Sequence, residues 1–121
     1  MRCGIHDDGL RLCVNIKFLC ACDNEKITTC KPFAKSLKYL SASGSCGIHD
    51  DGLRLCKHIK YLYTILNIKI TTCAPFAKSL KQLVADDCMH VDGVKLCNNN
   101  MILNAANTTK LYHYWYYRDS P

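Results

Sequence analysis

Eleven residues, CGIHDDGLRLC at 3–13, return letter for letter at 46–56 and in a shortened form, CMHVDGVKLC, at 88–97. A second block, ITTCKPFAKSLKYL at 27–40, returns as ITTCAPFAKSLKQL at 70–83, so the period is 43 residues. Self-similarity of this kind constrains a fold more than composition does, because each unit must bury its apolar residues against its neighbours. It predicts a first repeat over 1–45, closing in the Ser/Gly-rich linker 41–45, and a second over 46–87. A third, over 88–121, keeps only the first block and ends in an aromatic cap.

Within the first block, β-favouring residues flank Asp7-Asp8-Gly9 and Asp50-Asp51-Gly52, three-residue loops with glycine last; the third copy has the two-residue Asp92-Gly93. These are hairpin loops by composition, with Gly9 expected at positive φ. Counting outward sets Cys3 opposite Cys13, Cys46 opposite Cys56 and Cys88 opposite Cys97. Those are non-hydrogen-bonded sites, where Cα atoms lie about 4.5 Å apart and a disulfide fits. Each bridge would stabilise by about 2 to 3 kcal/mol. Alternating residues over 14–18 and 57–65 read as further strands. Pro32 followed by Phe33, Leu37 and Leu40 reads as a short amphipathic helix, with Lys35 and Lys38 on its polar side and Lys78 and Lys81 on the equivalent helix. The fold class expected is therefore α+β: a small cysteine-rich tandem repeat of disulfide-closed β-hairpins with short amphipathic helices.

Ten cysteines in 121 residues favour an oxidising, extracellular setting, although Met1-Arg2-Cys3 runs straight into the first block without an apolar leader. Cys20, Cys22, Cys30 and Cys73 fall outside the hairpins. Cys73 has no partner in its own repeat, so it is expected to bridge to Cys20 or Cys22 of the first repeat, to form an intermolecular disulfide, or to stay reduced. No apolar run approaches the ~20 residues of a membrane span.

Candidate chemistry is sparse. Cys3, His6, Cys13 and Cys30, and again Cys46, His49, Cys56 and Cys73, have the composition of a Cys3His zinc site. Cysteine and histidine at odd spacing on a strand point to opposite faces, which opposes convergence on a metal. His6-Asp7-Asp8 is explained by turn chemistry without a ligand. The run Tyr112, Tyr114, Trp115, Tyr116 and Tyr117 reads as a final strand that covers the last repeat, or as an interaction surface together with the four lysines. Asn107-Thr108-Thr109 fits a glycosylation acceptor. A net charge of +6 without a dense basic patch favours an acidic partner and does not single out nucleic acid.

These features point to a non-enzymatic, exported, cysteine-rich binding protein with no cofactor, whose partner is a protein or an acidic surface. The alternative is an intracellular zinc-stabilised module with a basic surface that contacts nucleic acid.

Overall fold

The computed structural model describes residues 5–105 and 110–118. It is a mixed α/β structure built on one five-stranded parallel sheet: β1 (Phe18–Cys20), β2 (Tyr39–Ser41), β3 (Tyr61–Tyr63), β4 (Gln82–Ala85) and β5 (Ile102–Ala105). Spatial order follows chain order. Register aligns Leu19, Leu40, Leu62, Leu83 and Leu103, at intervals of 21, 22, 21 and 20 residues. The chain thus advances by one strand about every half of the 43-residue sequence period.

Parallel neighbours need a crossover of a dozen or more residues. Here the crossovers carry two alternating devices. One is a 3₁₀ turn after a Thr-Thr-Cys, at Lys31–Phe33 and Ala74–Phe76; the other is a one-turn helix, α2 (Asp50–Leu53) and α3 (Val91–Val94). A further one-turn helix, α1 (Asp7–Leu10), precedes β1, and α4 (Lys110–Tyr117) packs against β5 and α3.

The segments expected as hairpins are therefore helical, and no strand pair is antiparallel among the described residues. Burial explains the difference. Ile48, Leu53 and Cys56 are all at or below 1% exposed while Arg54 and Leu55 are exposed, a spacing that a two-residue strand alternation cannot produce. Asp7 and Asp8 occupy the first turn of α1, where carboxylates are favourable. Gly9 is not at positive φ; among the described glycines only Gly44 is.

The expected amphipathic helix shortens to one 3₁₀ turn, because Leu37 and Leu40 are needed elsewhere: both are fully buried, and Leu40 belongs to β2. The stretch 41–45 is built into the coil. Ser41 is in β2, and the N–H groups of Ala42 and Gly44 donate to the carbonyls of Tyr63 (2.8 Å) and Ile65 (2.9 Å). The aromatic run forms a helix, with Leu111 and Trp115 buried at i and i+4; the acceptor at 107–109 lies outside the described residues.

One core runs the length of the coil in rows. Ile27, Ile48 and Ile70 form one row, and Phe33, Leu53, Phe76 and Val94 a second. A third is Leu37, Ile59, Leu80 and Met101, and the strand leucines are the fourth.

Candidate interaction face of the sheet

Three couplings hold each turn to the next, and they absorb most of the residues that chemistry had suggested. The Asp7 carboxylate accepts from the backbone N–H groups of Thr28 (2.8 Å) and Thr29 (3.4 Å) and from the Thr28 hydroxyl. Asp50 does the same with Thr71 (2.8 Å) and Thr72 (3.3 Å). The first aspartate of His-Asp-Asp is thus spent on the following Ile-Thr-Thr. In the third copy Val91 replaces it, and no Ile-Thr-Thr follows.

Buried asparagines are the second coupling. The Asn67 amide, 1% exposed, donates to the carbonyls of Ala42 (2.8 Å) and Ile48 (3.3 Å), and its oxygen accepts from the Lys69 N–H (2.8 Å). Asn24 donates to Ile5 (3.0 Å) and accepts from Lys26 (2.9 Å). The two asparagines lie one 43-residue period apart, so the repeat comparison pairs them without showing what they bind. Their signal in the sequence is a Leu-x-Ala or Leu-x-Thr pair, Leu19-Cys20-Ala21 or Leu62-Tyr63-Thr64, followed three residues later by Asn24 or Asn67.

Cysteines supply the third. All described cysteines are thiols, and the close pairs are not those expected. Cys73 and Cys97 have sulfurs 3.8 Å apart, and Cys30 is hydrogen-bonded to Cys56. The hydrogen bond to Cys56, then burial, holds the Cys30 thiol far above the ordinary range; Cys97 and burial do the same to Cys73. With helical turns at Asp50–Leu53 and Val91–Val94 in place of hairpin loops, the geometric basis for the Cys46–Cys56 and Cys88–Cys97 bridges is gone. Cys3 lies outside the described residues, and Cys13 is an exposed thiol. Cys73 is fully buried, which removes the route to an intermolecular disulfide.

Among the described residues, no three His, Cys, Asp or Glu side chains converge so as to hold a metal ion, so Cys46, His49, Cys56 and Cys73 are not brought together as ligands. Cys46 instead takes the position that Asn24 and Asn67 hold in neighbouring turns, its sulfur 3.4 Å from the Ile48 N–H. His6 is exposed, Cys13 is exposed and Cys30 is buried. Among the described residues, no helix is long and apolar enough to cross a membrane.

What remains unspent is the outer face of the sheet. Flanking each strand leucine, Phe18, Tyr39, Tyr61, Gln82 and Ile102 form one register row and Cys20, Ser41, Tyr63, Val84 and Asn104 the next. The rings of Phe18 and Tyr39 have centroids 5.5 Å apart, Tyr39 and Tyr61 6.4 Å, and Tyr39 and Tyr63 5.4 Å. Phe18 is 73% exposed. Burial, then the neighbouring Tyr63, pushes the Tyr39 phenol upward, so it stays neutral at ordinary pH.

Immediately before this row, Lys17, Lys38, Lys60 and Lys81 stack one per strand. The Lys17 carbonyl accepts from Lys38 (2.9 Å), that of Lys38 from Lys60 (2.8 Å) and that of Lys60 from Lys81 (2.7 Å). Adjacent strands are about 4.8 Å apart, yet among the described residues none of these four lysines is in an ion pair. A cavity of about 470 Å³ lined by Tyr61, Lys78, Lys81, Gln82, Asn100 and Ile102 continues the row. At the other end of the strands, Asp23 and Asp86 are tied to the Ser45 and Leu66 N–H groups.

Of the lysines named from sequence, Lys38 and Lys81 lie in this row, Lys78 lines the cavity and Lys35 lines a separate one of about 600 Å³ with Val14, Pro32 and Leu55. On α4, Trp115 is buried under the Arg118 guanidinium, 3.7 Å from the ring centroid; Tyr114 is half-buried; and Tyr112 and Tyr116 stack at 4.4 Å on the exposed side, where Tyr117 also lies.

Comparison with protein families, with curated proteins and with solved structures finds no match.

Proposed function

We propose that the chain is a non-enzymatic binding module, a parallel-strand solenoid whose ligand is an extended acidic polypeptide lying across the lysine and aromatic rows. The spacing Ile59-x-x-Leu62-x-Thr64-x-x-Asn67, one strand and one short helical turn per 20 to 22 residues, matches the leucine-rich type of repeat and supports this reading. Solenoids of this kind use an extended face for recognition.

The observation that carries the proposal is four lysines stacked on successive strands, none in an ion pair among the described residues, beside a ladder of rings of which Phe18 and Tyr61 are exposed and Tyr39 and Tyr63 half-buried. Like charges carried on neighbouring strands repel, and aromatic rings left in water forgo their burial energy. A segment bearing several carboxylates relieves the first and covers the second. Compartment forms no part of the proposal.

The test is fluorescence anisotropy of a labelled glutamate-rich peptide. Binding that weakens with salt, and falls at least about tenfold in Lys38→Glu/Lys60→Glu, supports the reading. Binding of a single-stranded oligonucleotide in place of the peptide overturns it.

A further inference from the structure

The same eleven residues occur at 3–13 and 46–56, yet among the described residues 5–13 lack the cover that their equivalents 48–56 have on the side facing back along the coil. At Gly52 an added Cβ would sit 2.5 Å from the Thr28 carbonyl oxygen and 2.9 Å from the Thr29 Cα; at Gly93 it would sit 2.8 Å from the Thr72 hydroxyl and 2.9 Å from the Cys73 nitrogen. Both glycines are pressed against a Thr-Thr-Cys turn, and the Cys30 N–H donates to the Gly52 carbonyl (3.0 Å). At Gly9 the nearest atom to an added Cβ is Ile5 Cγ2, at 4.0 Å.

The surrounding residues repeat this contrast. Ile48, Ile59 and Leu62 are fully buried, whereas their equivalents Ile5 is 47% exposed and Ile16 and Leu19 are half-buried. Cys56 lies against Cys30, and Cys97 against Cys73; Cys13 is exposed, with only its own Gly9 carbonyl 3.9 Å away. That contact equals the 3.9 Å from Cys97 to the Gly93 carbonyl, so the open copy already has the conformation of a covered one. Charge agrees as well. Asp51 pairs with Lys31 of the preceding turn (3.8 Å), while the equivalent Asp8 has only Arg11 of its own turn (3.9 Å). β1 is the edge of a parallel sheet.

We infer that this end, from Ile5 to Phe18, is a docking surface for a polypeptide turn of the Ile-Thr-Thr-Cys-Lys kind that finishes in a strand parallel to β1. The turn's backbone seats on Gly9, its cysteine lies against Cys13, its lysine meets Asp8, and its strand covers Phe18 and Leu19. The two such turns in this chain are already seated, on Gly52 and Gly93, so a second copy does not supply a free one.

A synthetic peptide of residues 24–45 added to the full chain, and the same segment joined directly ahead of Cys3 in place of Met1-Arg2, test this through the rate of Cys13 alkylation. In the joined protein that rate falls about a hundredfold, toward that of Cys56. Gly9→Val restores the fast rate there, while in the original chain it leaves the thermal midpoint unlowered. The free peptide slows Cys13 in the original chain and not in its Gly9→Val variant. An unchanged Cys13 rate in the joined protein overturns the inference. So does a rate in the original chain, without peptide, that falls with protein concentration alongside a dimer in sedimentation, because the occupant is then a second copy.

Discussion

Asp50 reaches forward one turn to Thr71, whose backbone N–H it accepts at 2.8 Å, and the aspartate beside it, Asp51, reaches backward to Lys31 at 3.8 Å. Two adjacent carboxylates of one motif thus face opposite neighbours. Only the first is tied to backbone donors. Asp50→Ala strands the Thr71 and Thr72 N–H groups in a half-buried setting and lowers stability by about 3 kcal/mol. Asp51→Ala, which removes exposed ion pairs, changes it by less than about 0.5 kcal/mol. Urea denaturation followed by circular dichroism separates the two.

Asn67→Ala removes two donors and an acceptor from the interior at once. The carbonyls of Ala42 and Ile48 and the Lys69 N–H lose their partner, and a loss of about 3 kcal/mol follows. Hydrogen exchange shows it as faster opening of the Lys69 amide in particular.

Gly9→Ala and Gly52→Ala are the same substitution in the same eleven letters with opposite signs. Alanine at 9 meets open space within a helical turn and stabilises by up to about 1 kcal/mol. Alanine at 52 must displace the Thr28 carbonyl, 2.5 Å away, and destabilises by about 2 kcal/mol or more. Thermal midpoints of the two variants move in opposite directions.

Much of this was hidden in the sequence for a physical reason. Asp-Asp-Gly serves a hairpin loop and a helix N-terminus equally well, and what selects the helix is a partner some 21 residues away, Thr28 for Asp7 and Thr71 for Asp50. A period of 43 also masked the shorter one. The two halves share few letters, since Cys46 stands where Asn24 and Asn67 stand and the crossovers alternate between α and 3₁₀ turns. The blocks, the apolar identity of Phe33, Leu37 and Leu40, and the lysines at 38 and 81 were legible. The lysine row was not, because Lys17 and Lys60 belong to half-turns that the longer period sets apart.

The buried thiol pairs give the fold a pH dependence. Cys30 and Cys73 are held far above the ordinary thiol range, while the hydrogen bond from its partner pulls Cys56, and likewise Cys97, downward against burial. Each pair therefore keeps one proton that the unfolded chain releases near pH 8.5. For Cys30 and Cys73 the raised native value means stability fully present below that pH and lost above it, at about 1.4 kcal/mol per pH unit for each of these two thiols, while the lowered Cys56 and Cys97 add stability as pH rises toward it. Urea midpoints at pH 7, 9 and 10 check the slope, and Cys30→Ala/Cys73→Ala flattens it.

Thiol accessibility follows the same map. Under native conditions iodoacetamide modifies Cys13 and Cys20 first, while Cys30, Cys46, Cys56 and Cys73 wait for unfolding. Peptide mass mapping after a short pulse distinguishes the two groups.

Every coupling described, from carboxylate to threonine, asparagine to carbonyl and sulfur to sulfur, spans a single step along the axis, so the molecule closes like a zip. Its far end is clasped by Leu111 and Trp115, and its near end, at Ile5 and Leu12, has no clasp among the described residues. Opening begins there and travels one row at a time, so that amide protection climbs steadily from β1 to the inner strands β3 and β4.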